Sequence, residues 1–135
     1  MHHRQLISSG SPWELTVGYS RAVRVDECVW VSGTAAQYPS DQPIPEDPAE
    51  QARRCFEIIG EALAHAGGSF ADVVRTRLYL TAAEDFDPVA AVHGEIFHDI
   101  RPACTAVVVA ALLDPRWKVE IEIEAIVVSD NAPMI

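Results

Sequence analysis

The stretch CTAVVVAAL, which begins at Cys104, predicts a β-strand that is apolar on both of its sides. With the period of two that strands follow, Ala106 and Val108 fall on the same side as Cys104, and Val107 and Val109 fall on the other. A strand that is apolar on both sides is normally buried on both sides. The fold must therefore supply a cover for each face of the sheet that contains this strand.

Two helices are predicted from capping residues and apolar periodicity. Asp47 and Pro48 are typical of a helix start, because aspartate caps the first turn and proline is tolerated within it. Apolar residues then recur every three or four positions until Gly67-Gly68, which is a stop signal. The resulting stripe consists of Ala52, Phe56, Ile59, Leu63 and Ala66. A second helix is predicted from about Asp87 to His98.

Six strands are predicted from alternating or β-branched runs that lie between turn residues. They span residues 14–18, 21–25, 28–33, 72–82, 104–113 and 118–128. The order β-β-β-α-β-α-β-β places each helix in a connection between strands, which predicts an α+β fold in one domain covering residues 1–135. We expect a six-stranded mixed β-sheet with both helices packed on one face.

Two helices are too narrow to cover a sheet of this width. Six strands at a spacing of about 4.8 Å span roughly 29 Å, whereas two helices about 10 Å wide span roughly 20 Å. One face of the sheet then has incomplete cover and the other has none. We therefore expect another copy of the chain to cover the apolar strand, which makes the protein an oligomer.

Composition restricts the class of function. The formal net charge is −10, so nucleic-acid binding, which depends on lysine and arginine contacts to phosphates, is not expected. The longest apolar run, Ala106 to Leu113, is far shorter than the roughly 20 residues of a membrane helix. The first residues lack the apolar segment of a signal peptide, and three cysteines without a C-x-x-C pair fit reduced thiols. We expect a cytoplasmic protein without membrane contact.

Three glutamates alternate with apolar residues near the end of the chain. Glu120, Glu122 and Glu124 share one face of a predicted strand, and Ile121 and Ile123 share the other. The simplest interpretation is a row of solvated carboxylates opposite a buried face. The alternative is that at least one glutamate lies at a seam between subunits, where burial raises the pKa of its carboxyl and makes it a usable acid or base.

The sequence gives little support to metal or thiol chemistry. His93, Glu95 and Cys104 match part of the zinc deaminase pattern H-x-E…P-C-x-x-C, but Val107 replaces the second cysteine, so no metal site is expected. Cys104 is either a reactive thiol or a small buried apolar residue. The second interpretation is favoured because Arg101, the nearest basic residue in sequence, falls on the opposite side of the strand.

Four stretches of the chain resemble one known family. GYSRAVRV (18–25), VWVSGTAA (29–36), DVVRTRLYLT (72–81) and RPACTAVVV…VEIEIEAIVV (101–128) are similar to motifs of the YjgF/RidA family, the reactive-intermediate deaminases. The similarity covers about residues 6–128. It implies a chorismate-mutase-like subunit, a homotrimer with ligand clefts between adjacent subunits, and hydrolysis of enamine and imine intermediates without a cofactor.

The resemblance also implies roles for individual residues. Glu124 matches the glutamate that positions the attacking water, and Tyr19, Ser32 and Gly33 match residues that line the cleft. In the family an arginine holds the substrate carboxylate. Cys104 stands in its place in this chain and is therefore expected to contact the ligand directly.

Two departures from the family pattern leave the function open. Cys104 replaces the arginine, and Ala90 replaces an asparagine that is common in active members. Hydrogen bonds to charged groups contribute about 1.5–3 kcal/mol, so loss of the guanidinium weakens handling of a 2-iminoacid by about one to two orders of magnitude. We expect either hydrolysis of imines or enamines with an altered substrate range, or binding of a carbonyl, imine or enamine metabolite by a non-enzymatic regulatory or chaperone-like module.

Overall fold

The structure is a computed structural model and describes residues 3–128. Its two helices are α1 (Pro48–His65) and α2 (Phe86–Phe97). The strands are β1 (Arg4–Ile7), β2 (Ala22–Val25), β3 (Cys28–Ala35), β4 (Val73–Leu80), β5 (Ala103–Val108) and β6 (Val119–Ile126). Short helical turns lie at Glu14–Gly18, Phe70–Asp72 and Ala83–Asp85.

The six strands form one mixed sheet, as predicted. Their order across the sheet is β1-β2-β3-β6-β4-β5, and every neighbouring pair is antiparallel except β4 and β5. The parallel pair is connected through α2, because parallel strands need a crossover and not a tight turn. β1 and β5 are the two edges of the sheet.

The strand predicted at residues 14–18 is wrong. Glu14–Gly18 is a helical turn in which Tyr19 N donates a hydrogen bond to Glu14 O at 3.0 Å. The Glu14 carboxylate accepts hydrogen bonds from Ser9 N at 3.0 Å and from Ser9 Oγ at 2.7 Å. Gly18 has a φ of +87°, which is incompatible with a strand. Local hydrogen bonding therefore overrides the alternation of this stretch.

One further strand was not predicted, and one predicted strand is shorter than expected. The strand that was not predicted is β1, whose Leu6 pairs with Val23 of β2. The strand predicted at residues 104–113 ends at Val108. Its partner β4 ends at Leu80, whose carbonyl accepts a last hydrogen bond from Val109 N at 2.8 Å. β5 therefore stops where it has no neighbour left to pair with.

α1 begins and ends where its sequence signals place it. The Asp47 side chain accepts a hydrogen bond from Ala49 N at 3.0 Å, which caps the first turn. At the other end Gly67 has a φ of +86°, and Gly68 N donates to Leu63 O at 2.8 Å. All five residues of the predicted apolar stripe are buried.

Both helices pack on one face of the sheet and form the core with it. The rings of Phe56 in α1 and Phe97 in α2 lie 5.7 Å apart in an edge-to-face contact. Ile121 and Ile123 of β6 lie in the same buried cluster and are 0% and 1% exposed, as the alternation of β6 predicts. The fold class inferred from the sequence is confirmed.

The opposite face of the sheet, called here the open face, has no helix of residues 3–128 packed on it. Apolar side chains on it are substantially exposed in the single chain, among them Leu6, Trp30, Val107 and Ile126. The apolar positions of β5 are exposed on both sides. The oligomer expected from the sequence stays a prediction, and these surfaces are the ones that it would cover. Within residues 3–128 no helix combines the length and the apolar character needed to cross a bilayer.

Candidate functional site

The open face carries a row of polar side chains on its two central strands. They are Glu120, Glu122 and Glu124 on β6 and Arg75, Arg77 and Tyr79 on β4. Because β6 and β4 are antiparallel neighbours, acidic side chains of one strand lie beside basic or hydroxyl side chains of the other. This cross-strand pairing orients the carboxylates of Glu122 and Glu124.

Glu124 is held by an ion pair. Arg77 Nη1 donates to Glu124 Oε1 at 2.9 Å and lies 3.9 Å from Glu122 Oε1. The hydrogen bond to Glu124 raises the pKa of the Arg77 guanidinium. Because the two side chains are 35% and 38% exposed, the pair adds little to stability, and its main effect is to orient the carboxylate.

The row continues through two further hydrogen bonds. Tyr79 OH donates to Glu122 Oε1, and this bond raises the pKa of the Tyr79 hydroxyl. Arg75 Nη2 donates to Thr105 Oγ1 on β5. The polar network therefore extends from the centre of the sheet to its β5 edge.

Glu120 differs from the other two glutamates because it is half-buried and its carboxylate has no hydrogen bond within residues 3–128. Burial raises the pKa of its carboxyl, and the nearby Arg21 guanidinium opposes this effect. The register of β3 against β6 shifts between Val31 and Thr34, next to Gly33. A Cβ atom added to Gly33 would lie 3.0 Å from Glu120 Oε2, so the backbone of β3 closely approaches this carboxyl. A carboxyl in this setting is suited to proton transfer.

The early motif residues lie beside Glu120. The Arg21 guanidinium lies 5.6 Å from the centre of the Tyr19 ring. Ser32 Oγ donates to Ser20 O at 2.7 Å, and Ser32 N donates to Arg21 O at 2.9 Å. The structure therefore brings Tyr19, Ser32 and Gly33 into one region, as expected of residues that line one wall.

Cys104 lies elsewhere. It is exposed in the single chain, so its expected burial stays a prediction that depends on cover by another copy of the chain. On β5 it is in register with Thr76 of β4, whose hydroxyl is 2.9 Å from His93 Nε2 of α2. Burial lowers the pKa of the His93 imidazole. Cys104 therefore points to the helix-covered side of the sheet, whereas Glu124 points to the open face.

Two grooves flank the segment around residues 7–12. One has a volume of about 720 Å³ and is lined by Arg21, Arg54 and Trp117 among others. The other has a volume of about 820 Å³ and is lined by Tyr19 and Ser32 among others. Both volumes fall in the range of small-molecule sites. Neither groove is lined by Cys104 or Glu124 within a single chain.

Arg21 and Glu120 also belong to this region. The sequence predicts no role for Arg21, and it identifies Glu120 only as one of three glutamates of which at least one, in the alternative interpretation, lies at a seam between subunits. Arg21 occurs within the GYSRAVRV stretch, and Glu120 occurs in the same alternation as Glu124. The motif could have identified Arg21, because Arg21 is two residues from Tyr19 and must therefore lie close to the same wall of the cleft. Within residues 3–128 no group of three histidine, cysteine, aspartate or glutamate residues is arranged to hold a metal ion.

Comparison with known proteins gives matches along most of the chain. The family model described as Endoribonuclease L-PSP matches residues 12–127. The chain is 40% identical to an uncharacterized protein of Streptomyces coelicolor, over 88% of this chain and 89% of that protein. It is 38% identical to the 2-iminobutanoate/2-iminopropanoate deaminase of Rattus norvegicus, over 93% of this chain and 90% of that protein.

Solved structures agree with these sequence matches. The crystal structure of a Mycobacterium tuberculosis member of the YjgF/YER057c/UK114 family superposes with a TM-score of 0.85 and 43% sequence identity. The superposition covers 93% of this chain and 100% of that structure. Motifs, sheet topology and family model thus lead to the same assignment, and the protein belongs to the YjgF/RidA family.

Proposed function

We propose that the protein is a cytoplasmic homotrimer that hydrolyses imine or enamine metabolites at clefts between its subunits, without a cofactor. The observation that carries this proposal is the 38% identity, over 93% of the chain, to an enzyme named 2-iminobutanoate/2-iminopropanoate deaminase. The candidate site supports it with a half-buried carboxyl, a second carboxylate oriented by an arginine, and neutral hydroxyl groups nearby.

The reaction needs a positioned water molecule and a path for protons. Water adds to the carbon of the C=N bond while the nitrogen gains a proton, and the resulting carbinolamine releases ammonia to leave a C=O group. Glu124 is assigned to positioning and deprotonating the water, because Arg77 holds its carboxylate in one orientation. Tyr19, Ser32 and Gly33 are assigned to the wall of the cleft, and Cys104 to direct contact with the ligand.

The placement of these residues supports a site shared between subunits. Cys104 lies on the β5 edge and points to the helix-covered side, whereas Glu124 points to the open face. A small molecule reaches both side chains only if they come from different copies of the chain. Exposed apolar residues on β5 and on the open face supply the surface that such an assembly would bury.

Cys104 defines how the substrate range departs from that of arginine-bearing relatives. A thiol has one weak donor, whereas a guanidinium offers two parallel N–H groups to a carboxylate. Replacing the guanidinium by a thiol weakens the binding of a 2-iminoacid by about one to two orders of magnitude. The proposed activity therefore favours substrates whose binding does not depend on a cation at position 104.

The decisive experiment compares the wild-type protein with a Cys104→Arg variant. Hydrolysis of 2-iminobutanoate, generated in the assay, is followed by formation of the oxoacid, together with hydrolysis of a neutral imine of similar size. We expect the wild-type protein to accelerate at least the neutral reaction, and the variant to gain about tenfold or more on 2-iminobutanoate. If neither protein accelerates either reaction, the hydrolase proposal is wrong.

A second candidate function is a non-enzymatic module that binds a metabolite and regulates or protects another protein. The presence of Cys104 in place of the arginine favours it, because a cleft can keep its shape without the cation that holds the substrate. Imine hydrolysis by the Cys104→Arg variant distinguishes the two candidate functions. A regulatory module binds a 2-oxoacid or carbonyl compound in calorimetry, yet its Cys104→Arg variant stays inactive towards imines.

RNA cleavage, which the description of the matching family model names, is disfavoured by the charge of this chain. A net charge of −10 and a row of glutamates on the open face repel phosphates. Ribonuclease activity that co-eluted with the purified protein and disappeared in a Glu124→Ala variant would show that this argument is wrong.

A further inference from the structure

Arg21 is a buried cation that forms no ion pair within residues 3–128, although Glu120 is near enough to act on it electrostatically. It is 6% exposed, and within residues 3–128 no carboxylate oxygen lies within the 4.0 Å limit of an ion pair with its guanidinium. Its one side-chain hydrogen bond in that range runs from Nη1 to Thr34 Oγ1 at 3.4 Å, and its buried Nε has none. Buried charges are normally paired, because removing an unpaired charge from water is costly.

A second buried donor near the same groove also lacks a partner. Arg21 Nε and Trp117 Nε1 are the two buried side-chain nitrogen or oxygen atoms without a hydrogen bond in the described part of the chain. Both residues line the 720 Å³ groove. Since buried donors in folded proteins are nearly always satisfied, two such donors at one groove indicate a ligand that carries acceptor atoms.

Arg21 also adjoins the residues assigned to the proposed site. Its guanidinium lies 5.6 Å from the centre of the Tyr19 ring, and its carbonyl accepts the hydrogen bond of Ser32 N. It acts electrostatically on the half-buried carboxyl of Glu120. A cation, a half-buried carboxyl and the hydroxyl groups of Tyr19 and Ser32 therefore lie close to one another.

We infer that Arg21 binds the carboxylate of the substrate and so supplies the cation that position 104 lacks, an inference that rests on the proposed function. The planar guanidinium is suited to this role because it donates two parallel hydrogen bonds to a carboxylate. The groove is larger than a four-carbon acid requires, and Trp13, Tyr38 and Trp117 contribute aromatic surface to it. The ligand class is a 2-imino or 2-oxo acid with an apolar or aromatic side chain.

The test measures binding by calorimetry, with 2-oxo-3-phenylpropanoate and its methyl ester as probes. In Arg21→Gln the Kd for the acid should rise about ten- to a hundredfold, because glutamine cannot form the charge-assisted pair, while the Kd for the ester stays within about threefold. Arg116→Gln is the matched control. Arg116 lines the same groove but is already paired with Asp114 at 2.7 Å, so its replacement should change neither Kd by more than about threefold.

A second variant covers the case in which Arg21→Gln fails to fold. Arg21→Lys keeps the charge but not the planar pair of donors, so its Kd for the acid should rise about tenfold and its Kd for the ester should not change. The inference is wrong if a folded Arg21 variant binds the acid as tightly as the wild-type protein does. It is equally wrong if acid and ester weaken together, since shape and not charge would then be responsible.

Failure of this inference is distinguishable from failure of the proposed function. If the wild-type protein hydrolyses imines while Arg21→Gln leaves acid binding unchanged, the function stands and the role of Arg21 is wrong. If acid binding depends on Arg21 but no imine is hydrolysed by the wild-type protein, the binding site stands and the hydrolase proposal is wrong.

Discussion

Cys104 and Glu124 lie on opposite faces of one sheet, two strands apart. The parallel register of β5 with β4 aligns Cys104 with Thr76 on the helix-covered side. The antiparallel register of β6 with β4 aligns Glu124 with Arg75 on the open side. No small molecule contacts both side chains within one chain, so a site that contains both needs two copies of the chain.

Subunit mixing tests whether the two residues meet across an interface. Cys104→Trp, which blocks one half of the proposed cleft, and Glu124→Gln, which disables the other half, should each be inactive as homotrimers. After unfolding and joint refolding, about a quarter of the clefts combine two unmodified halves, so activity should return to about that fraction of the wild-type value. If light scattering shows that the mixtures form trimers and the mixtures are still inactive, the cleft is not shared between subunits.

Glu124→Gln should lower kcat at least about a hundredfold if Glu124 deprotonates the water. Arg77→Gln, which frees the Glu124 carboxylate, should lower kcat/KM about tenfold while changing the free energy of unfolding by less than about 1 kcal/mol. The matched control is Arg53→Gln, which breaks a comparable 3.4 Å pair with Glu95 between the helices and should leave activity unchanged. A larger loss in Glu122→Gln than in Glu124→Gln would transfer the role to Glu122.

The half-buried Glu120 should make stability depend on pH. Burial raises the pKa of its carboxyl above the ordinary value of 4.5. The folded state therefore keeps a proton that the unfolded state has released, and wild-type stability falls as the pH rises from 4.5 through the folded pKa.

Glu120→Gln removes this dependence. The difference in free energy of unfolding, variant minus wild type, should therefore increase across the same pH window and then level off. Urea unfolding at several pH values measures it. If this difference in free energy of unfolding is the same at every pH, the pKa of Glu120 is not raised. Loss of the electrostatic interaction with Arg21 would alone produce such a constant difference.

The three cysteines should differ sharply in reactivity. Cys104 is exposed and Cys28 is partly buried, whereas Cys55 is fully buried and burial raises the pKa of its thiol far above the ordinary range. With iodoacetamide, mass spectrometry should find Cys104 modified first and Cys55 modified only after denaturation. A ligand in the proposed cleft should slow modification of Cys104, and an unchanged rate at saturating ligand contradicts its assignment to the cleft.

Gly33 and Gly94 form a matched pair of glycine substitutions. A Cβ atom at Gly33 would lie 3.0 Å from Glu120 Oε2, so Gly33→Ala should displace that carboxyl and lower kcat/KM about tenfold. Gly94 lies inside α2 with open space around it, so Gly94→Ala should raise the free energy of unfolding by about 0.5–1 kcal/mol with activity unchanged. Equal effects of the two variants on activity would contradict a role for the Gly33–Glu120 contact.

Periodic elements with explicit end signals were predictable from the sequence. α1 follows its cap at Asp47 and its glycine stop, and β6 buries Ile121 and Ile123 as its alternation requires. The turn at Glu14–Gly18 was not predictable in the same way. Its residues alternate like a strand, and the hydrogen bonds that favour the helical turn, among them those from Ser9 to the Glu14 carboxylate, form only once the chain has folded back on itself.

Only those residues of the candidate site that belong to a family motif could be predicted from the sequence. Alternation establishes which residues share a side of one strand, but the register between β4 and β5 decides which face Cys104 points to. The burial of Arg21 and the half-burial of Glu120 occur beside the register shift in β3, and the sequence does not reveal that shift. The part of the site that could not be predicted therefore depends on how the strands pair in the folded protein.

Because Cys104 is exposed at the rim of the sheet, selection for a stable fold and selection for ligand preference act on different residues. A side chain there is free of the packing constraints of the core, so replacing it costs the fold almost nothing. Under the proposed contact of Cys104 with the ligand, single changes at this position would alter ligand preference while the scaffold is preserved. Descendants of one ancestor can thus diverge in the metabolite they serve and still superpose closely.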